Sequence, residues 1–219
     1  MVGRFVRNVP LARFRSTFSF LVLAGDVIVR RNVVGALVFI LALEVQTKSM
    51  SEDDIVEQTK DAYLCLVHPI RKDEAYRKEI ASVIAIAPSL PDELVVAMIV
   101  GASWRERLLG LCIAMSKPSG KFTEAMLQSL RDPRCISIVP ACAALAVLAR
   151  RGVFEMPNSF GDMFDRIAFD GEVGWATDKA MFYAGLRAED VPGRGPNYGQ
   201  IFEDQVEVYH WANDRGHVS

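Results

Sequence analysis

The stretch Ala102-Ser-Trp-Arg-Glu-Arg-Leu108 repeats, about 28 residues later, the pattern of Asp73-Glu-Ala-Tyr-Arg-Lys-Glu-Ile80. Each stretch opens an apolar run with an aromatic residue that is followed by arginine. Each run then ends at a proline-containing turn, at residues 87–91 and 116–120, and a second helical pattern follows. Helix pairs that repeat in this way predict stacked α-hairpins, in which each unit buries its apolar face against the next.

Local signals define where the best-marked helix starts. Residues Ser103 to Glu106 have the sequence of a capping box, in which the Ser103 hydroxyl accepts a hydrogen bond from the Glu106 amide. The Glu106 carboxylate reaches back to the amide of Ser103 in the same motif. The sequence therefore predicts a helix that begins at Trp104, with Leu109 in the core.

The later part of the chain also reads as helices. Residues 141–148 are all apolar, and a buried helix is predicted that begins at Pro140 and ends just before Gly152. Helices are also expected at residues 160–167 and 175–184, and a last one from residue 201 onward is expected to cap the final repeat. The predicted fold is all-α, with stacked α-hairpins in a short α-solenoid.

Net charge separates two parts of the chain. Residues 1–49 hold seven basic and two acidic residues, a net charge of +5, whereas residues 50–219 hold 18 basic and 25 acidic residues, a net charge of −7. Phosphate backbones need clustered positive charge. The acidic body therefore disfavours nucleic acid as its partner.

Residues 1–49 are basic and apolar, and we treat them as an N-terminal extension. Their two apolar runs, 18–29 and 33–45, are each shorter than the roughly 18–20 residues of a membrane-spanning helix. Ser51 has the features of an N-cap, with acidic residues directly after it, which favours a mis-assigned start and a domain of residues 50–219. A membrane-associating or targeting segment and a pair of true core helices are the alternatives.

The four cysteines lie in apolar runs without paired spacing and predict buried, reduced thiols: Cys65, Cys112, Cys135 and Cys142. This pattern favours a cytoplasmic location, with membrane association only through residues 1–49. Two pairs have metal-ligand spacing, Glu207 with His210 and Cys65 with His68, but neither has the second pair that such sites need. We expect no metal and no cofactor.

Aromatic and arginine residues near helix starts are the candidates for a binding surface. The tentative binding residues are Trp104, Arg105, Arg107 and Trp175. Tryptophan and arginine often dominate the binding energy of protein interfaces. The competing interpretation is structural: Trp104 packs as a wedge between repeats, Trp175 lies in the core, and Arg105 or Arg107 pairs with Asp132 or Asp178. No catalytic residue is predicted.

Three short motifs carry a resemblance: Trp-Arg-Glu-Arg-Leu at 104–108, Ser-Leu-Arg-Asp-Pro at 129–133, and Ala-Leu-Ala-Val-Leu-Ala at 144–149. Through them, residues 90–186 resemble the HEAT-like helical repeats of bacteria, in particular small uncharacterised families with a Trp-Arg-x-Arg-Leu motif. Some relatives of that kind are regarded as immunity proteins that neutralise toxins. The resemblance implies a HEAT-like α-solenoid that binds a protein and has no catalytic residues.

We therefore predict a non-catalytic scaffold that binds another protein, with an immunity-type role as one form of that function. One alternative is an enzyme that resembles helical-repeat DNA glycosylases, in which Trp104, Arg105, Trp175 and Asp178 would line a DNA groove. The charge of −7 over residues 50–219 disfavours it. The other alternative, a membrane-tethered scaffold, depends wholly on residues 1–49.

Overall fold

Helices make up the regular structure of the described part of the chain. The structure is a computed structural model, and it describes residue 59 and residues 62–67, 74–117, 119–195 and 197–216. Its α-helices are α1 (Ala62–Val67), α2 (Glu74–Ile86), α3 (Asp92–Val100), α4 (Trp104–Ser116), α5 (Gly120–Arg131), α6 (Ile138–Arg150), α7 (Ala168–Tyr183) and α8 (Tyr198–Gly216). Short 3-10 helices occupy Ala87–Ser89, Cys135–Ser137 and Phe160–Met163. These ranges contain no strand, so the all-α prediction is confirmed.

Several predictions concern parts of the chain outside those ranges. They are the interpretations of residues 1–49, the start near Met50 and the metal-ligand role of His68. Within the described ranges, no helix has both the length and the hydropathy that a bilayer span requires.

Helices α4 and α6 form the centre of the fold. Ten of the thirteen residues of α4 and eleven of the thirteen residues of α6 are buried. A helix that is apolar on every side is stable only when other helices surround it. Accordingly α4 is covered by α1, α2, α3 and α8, while α6 is covered by α5, α7 and α8. The predicted core position of Leu109 is confirmed, because its side chain is 0% exposed.

Glycine lets one of these packing partners approach closely. A Cβ atom at Gly110 in α4 would lie 2.9 Å from the backbone nitrogen of Ile99 and 2.9 Å from the Cβ of Met98, both in α3. Those distances are shorter than van der Waals contact, so the α3–α4 crossing requires glycine at this position.

The last helix packs against the two central helices. Helices adjacent in sequence do pack in pairs, as α1 with α2, α3 with α4, and α6 with α7. Helix α8, however, packs mainly against α6 and α4 and also reaches α2. In an open solenoid each unit contacts only its neighbours. The stacked-hairpin arrangement is therefore not confirmed. The sequence predicted that the last helix caps the final repeat, whereas α8 covers both central helices.

The helix boundaries agree with the sequence signals at some ends and differ at others. Helix α4 begins at Trp104 as predicted, but the Ser103 hydroxyl accepts its hydrogen bond from the Arg105 amide at 3.3 Å. Helix α6 begins two residues before Pro140, which still lies in the first turn, where its missing N–H costs no intrahelical bond. It ends at Arg150, and Gly152 follows with φ +71°.

The segment before α7 differs more from the prediction. Only Phe160–Met163 is helical there, as a 3-10 helix, and α7 begins at Ala168 rather than near residue 175. Phe169, Asp170 and Gly171 have φ values of 53°, 57° and 81°, so one left-handed turn precedes the regular part of α7. Two consecutive non-glycine residues in this region are strained.

Candidate functional site

An exposed arginine and two half-buried aromatic residues form a cluster where α4 begins, and we call them the Trp104 surface: Tyr63, Trp104 and Arg105. The Tyr63 and Trp104 ring centroids are 5.6 Å apart with the rings edge-on at 77°. The Arg105 guanidinium carbon lies 5.0 Å from the Tyr63 centroid and 5.2 Å from the Trp104 centroid. Both rings are half-buried against the core, which gives the exposed arginine a fixed base.

The charge of Arg105 is not neutralised within the described part of the chain. Its guanidinium forms no ion pair with a carboxylate there. Contact with aromatic faces stabilises a cation without using its N–H donors. The five donors of a guanidinium suit planar acceptors such as carboxylates. Arg105 is therefore held in place and still able to bind an acceptor from outside.

Arg107 lies only two residues further along α4, but it is 1% exposed. Its nitrogens donate to the carbonyls of Gly101 at 2.6 Å, Asp132 at 2.7 Å, Ser129 at 3.0 Å and Val100 at 3.4 Å. These carbonyls belong to the C-terminal ends of α3 and α5, where no intrahelical donor remains. Arg107 also lies 3.6 Å from the Asp132 carboxylate, as the structural interpretation predicted. Its position leaves it no contact with an outside partner.

Trp175 is also an internal residue, with 8% of its surface exposed. Its Nε1 donates to the carbonyl of Pro192 at 3.0 Å, and its ring lies edge-on to Tyr198 at 5.6 Å. One turn later, the Lys179 ammonium lies 2.8 Å from both carboxylate oxygens of Asp190. Together these contacts attach the loop between α7 and α8 to α7. The sequence placed Trp175 in the tentative binding set, and the structure places it under this loop.

We expect the variant Lys179→Met to loosen that loop. Methionine keeps the buried stem of Lys179 but removes both bonds to Asp190, so the loop amides should exchange about tenfold faster, which corresponds to roughly 1.4 kcal/mol of lost local protection. Global stability should change little, because Asp190 is half-exposed and its charge is screened by solvent. Hydrogen exchange read by mass spectrometry over residues 186–197 measures this.

Lys121→Met is the matched control for that variant. The Lys121 side chain is 62% exposed, and its ion pairs with Asp92 and Glu93 span 3.7 Å and 3.6 Å. It should leave the exchange of residues 186–197 unchanged. Equal exchange rates in Lys179→Met and the unsubstituted protein would contradict the role assigned to Lys179.

His210 takes part in a hydrogen-bonded network of polar side chains. Its Nε2 lies 2.8 Å from the Tyr183 hydroxyl, and its Nδ1 accepts from Arg151 at 3.2 Å. Arg151 also pairs with Asp214 at 2.7 Å. Burial, and then the Arg151 charge, lower the pKa of His210. In the described ranges, no three His, Cys, Asp or Glu side chains, including Glu207, form a group able to hold a metal ion.

Asp178, a residue of the glycosylase alternative, is engaged by two arginines. Its Oδ2 lies 2.7 Å from Arg166 and 3.0 Å from Arg187, and its side chain is 17% exposed. It does not pair with Arg105 or Arg107. Two residues of the supposed DNA groove, Asp178 and the buried Trp175, therefore have structural contacts instead.

Comparison with known proteins adds no assignment. No family model, no curated protein and no solved structure matches the chain significantly. The resemblance to HEAT-like repeats therefore remains a proposal, and the functional argument rests on geometry.

Of the four tentative binding residues, the structure places two at one surface, Trp104 and Arg105. It adds Tyr63, which the sequence analysis did not include. Tyr63 lies in α1, and it meets Trp104 only because α1 packs against α4. The only sequence signal for Tyr63 was that it is an aromatic residue in a short apolar segment. Such a residue more often belongs to the core than to a binding surface.

Proposed function

We propose that this protein is a non-catalytic scaffold that binds another protein through the Trp104 surface. One observation carries the proposal: Arg105 is exposed, rests on the rings of Tyr63 and Trp104, and has no carboxylate partner in the described part of the chain. Tyrosine, tryptophan and arginine are the residue types that most often supply binding energy in protein interfaces.

The geometry of the surface suits a partner of a particular chemistry. Arg105 is suited to an aspartate or glutamate, because its guanidinium forms no ion pair with a carboxylate of the described residues. The half-buried rings are suited to an apolar side chain beside that carboxylate. Since both rings are already packed, little side-chain entropy is lost when a partner binds.

The resemblance to HEAT-like families supports a narrower form of this proposal, in which the partner is a toxin and the protein has an immunity-type role. A cytoplasmic location would suit it, because Cys112 and Cys142 are buried free thiols.

The variant Arg105→Glu should lose the partner without losing the fold. Exposed cation–π contacts contribute only about 0.5–1 kcal/mol, so the variant should remain folded, whereas its reversed charge should repel an acidic partner. Full-length protein carrying an affinity tag would be purified from its native host, and the bound proteins quantified by mass spectrometry. We expect one stoichiometric protein with the unsubstituted chain and at least a tenfold loss with Arg105→Glu.

Arg131→Glu is the control, since Arg131 is another exposed helical arginine, paired with Glu124 at 3.2 Å on α5. It should retain the partner. Equal retention by Arg105→Glu would show that the Trp104 surface is not the binding site. The absence of any stoichiometric protein with the unsubstituted chain would contradict the protein-binding function itself.

A further inference from the structure

A cavity of about 320 Å³ lies where α1 ends, where α6 and α7 begin, and beside the first half of α8. We call it the α8 cavity. Its polar lining residues are Glu172, Tyr198 and Gln205, and its apolar lining residues are Leu66, Val67, Ile136, Val139, Pro140 and Ile201. Tyr198, Ile201 and Gln205 follow the three-four spacing of one helix face, so α8 supplies one wall. Cavities that bind small molecules have this composition, with a mostly apolar lining and few polar groups.

Gln205 is held in this wall by a hydrogen bond to a neighbouring lining residue. The residue is 1% exposed, and its Nε2 donates to the carbonyl of Leu66, another lining residue. That bond identifies the side-chain atom facing Leu66 as the amide nitrogen, because an amide oxygen cannot donate a hydrogen bond to a carbonyl. Its Oε1 is fully buried and has no hydrogen-bond partner among the described residues, so it is enclosed within the wall and is not open to the cavity.

Glu172 brings to the cavity a carboxylate without an ion-pair partner in the described part of the chain. It is 7% exposed, and no lysine or arginine of the described residues forms an ion pair with it. The nearby Arg194 pairs with Asp170 at 2.8 Å instead. Burial raises the pKa of Glu172, while the charge of Arg194 and a hydrogen bond from Tyr198 oppose that shift. A buried carboxylate of this kind favours a cationic donor.

We propose that the α8 cavity binds a small apolar molecule with a primary ammonium group. An ammonium group has three donors and no acceptor, which matches the carboxylate oxygens of Glu172. Its charge compensates Glu172, and its hydrocarbon part fills the apolar remainder of the cavity. The volume lies at the lower end of the roughly 300–1,000 Å³ of small-molecule sites, which indicates a short alkyl or arylalkyl chain. This site does not depend on the Trp104 surface.

The test compares three probes of equal chain length on the full chain: n-hexylammonium, n-hexanol and hexanoate. At saturating concentration, hexylammonium should raise the Tm by about 3 °C or more, hexanol less, and hexanoate not at all. The indole N–H signals of the three tryptophans locate the site by NMR. Only Trp175 should shift, because its ring contacts Tyr198. No rise in Tm, an equal rise with hexanoate, or a shift confined to Trp104 or Trp211 would overturn the proposal.

The variant Glu172→Gln removes the charge and keeps the shape. It should weaken hexylammonium binding about tenfold or more and abolish the preference for hexylammonium over hexanol. Glu189→Gln makes the same chemical change at an exposed position and should bind as the unsubstituted protein does. Unchanged hexylammonium affinity in Glu172→Gln would overturn the proposal. The Trp175 signal is measured on the unsubstituted protein, so it tests the proposal even where the variant does not fold.

Discussion

Replacement of Arg107 by alanine is expected to lower the free energy of unfolding by about 3–5 kcal/mol. The arginine is 1% exposed and donates to carbonyls at the ends of two helices, α3 and α5. Alanine would leave these partly buried acceptors without donors and would open a cavity between the helices. The substitution would also remove a positive charge that interacts favourably with the dipoles of α3 and α5 at their C-termini.

Urea denaturation followed by circular dichroism measures this loss. Arg105→Ala is the matched control, since Arg105 lies on the same helix but is exposed. It should cost about 1 kcal/mol or less. Arg107→Lys should also destabilise the protein. The branched guanidinium donates to carbonyls of two helices at once, and a single ammonium group cannot reach both sets. Equal stabilities of Arg105→Ala and Arg107→Ala would show that Arg107 does not join α3 to α5.

Leu109→Asp is expected to abolish cooperative unfolding altogether. Leu109 lies in the central helix α4 and is 0% exposed. Aspartate there would lose the apolar contacts of leucine, worth about 2–5 kcal/mol, and would add the cost of a buried, unpaired charge. Small domains are stable by only about 5–15 kcal/mol in total, so the two losses together approach the whole stability.

Thermal denaturation followed by near-ultraviolet circular dichroism measures the result. Leu64→Asp makes the same change at a position that is 52% exposed, and it should melt close to the unsubstituted protein. A buried aspartate has a raised pKa, so any residual structure of Leu109→Asp should gain stability as the pH falls and the carboxyl is protonated. A normal melting transition at neutral pH would contradict the core position of α4.

Local features of the fold were predictable because they depend on neighbouring residues. The start of α4 follows from Ser103, whose hydroxyl can cap only the amides just after it. The end of α6 follows from Gly152, whose φ of +71° suits glycine. Tyr76, Ile80 and Val83 have the three-four spacing of one helix face, and all three are buried in α2.

The arrangement of helices could not be predicted in the same way. The repeat suggested a linear stack, in which the last helix would contact only the unit before it. The apolar face of α8 is compatible with several partners, and its covering of α4 and α6 depends on the shape that the other helices leave. The α8 cavity is equally a product of packing, since Glu172 and Gln205 come from different helices.

The two arginines of the Trp-Arg-x-Arg motif show where local and tertiary information separate. Residues two apart on an α-helix point to nearly opposite sides, so the sequence by itself determined that only one of Arg105 and Arg107 could face the core. Only the tertiary structure decided that it is Arg107, because α3 and α5 both end beside it with carbonyls that need donors. Arg105 was thereby left on the outside, where the rings of Tyr63 and Trp104 hold it.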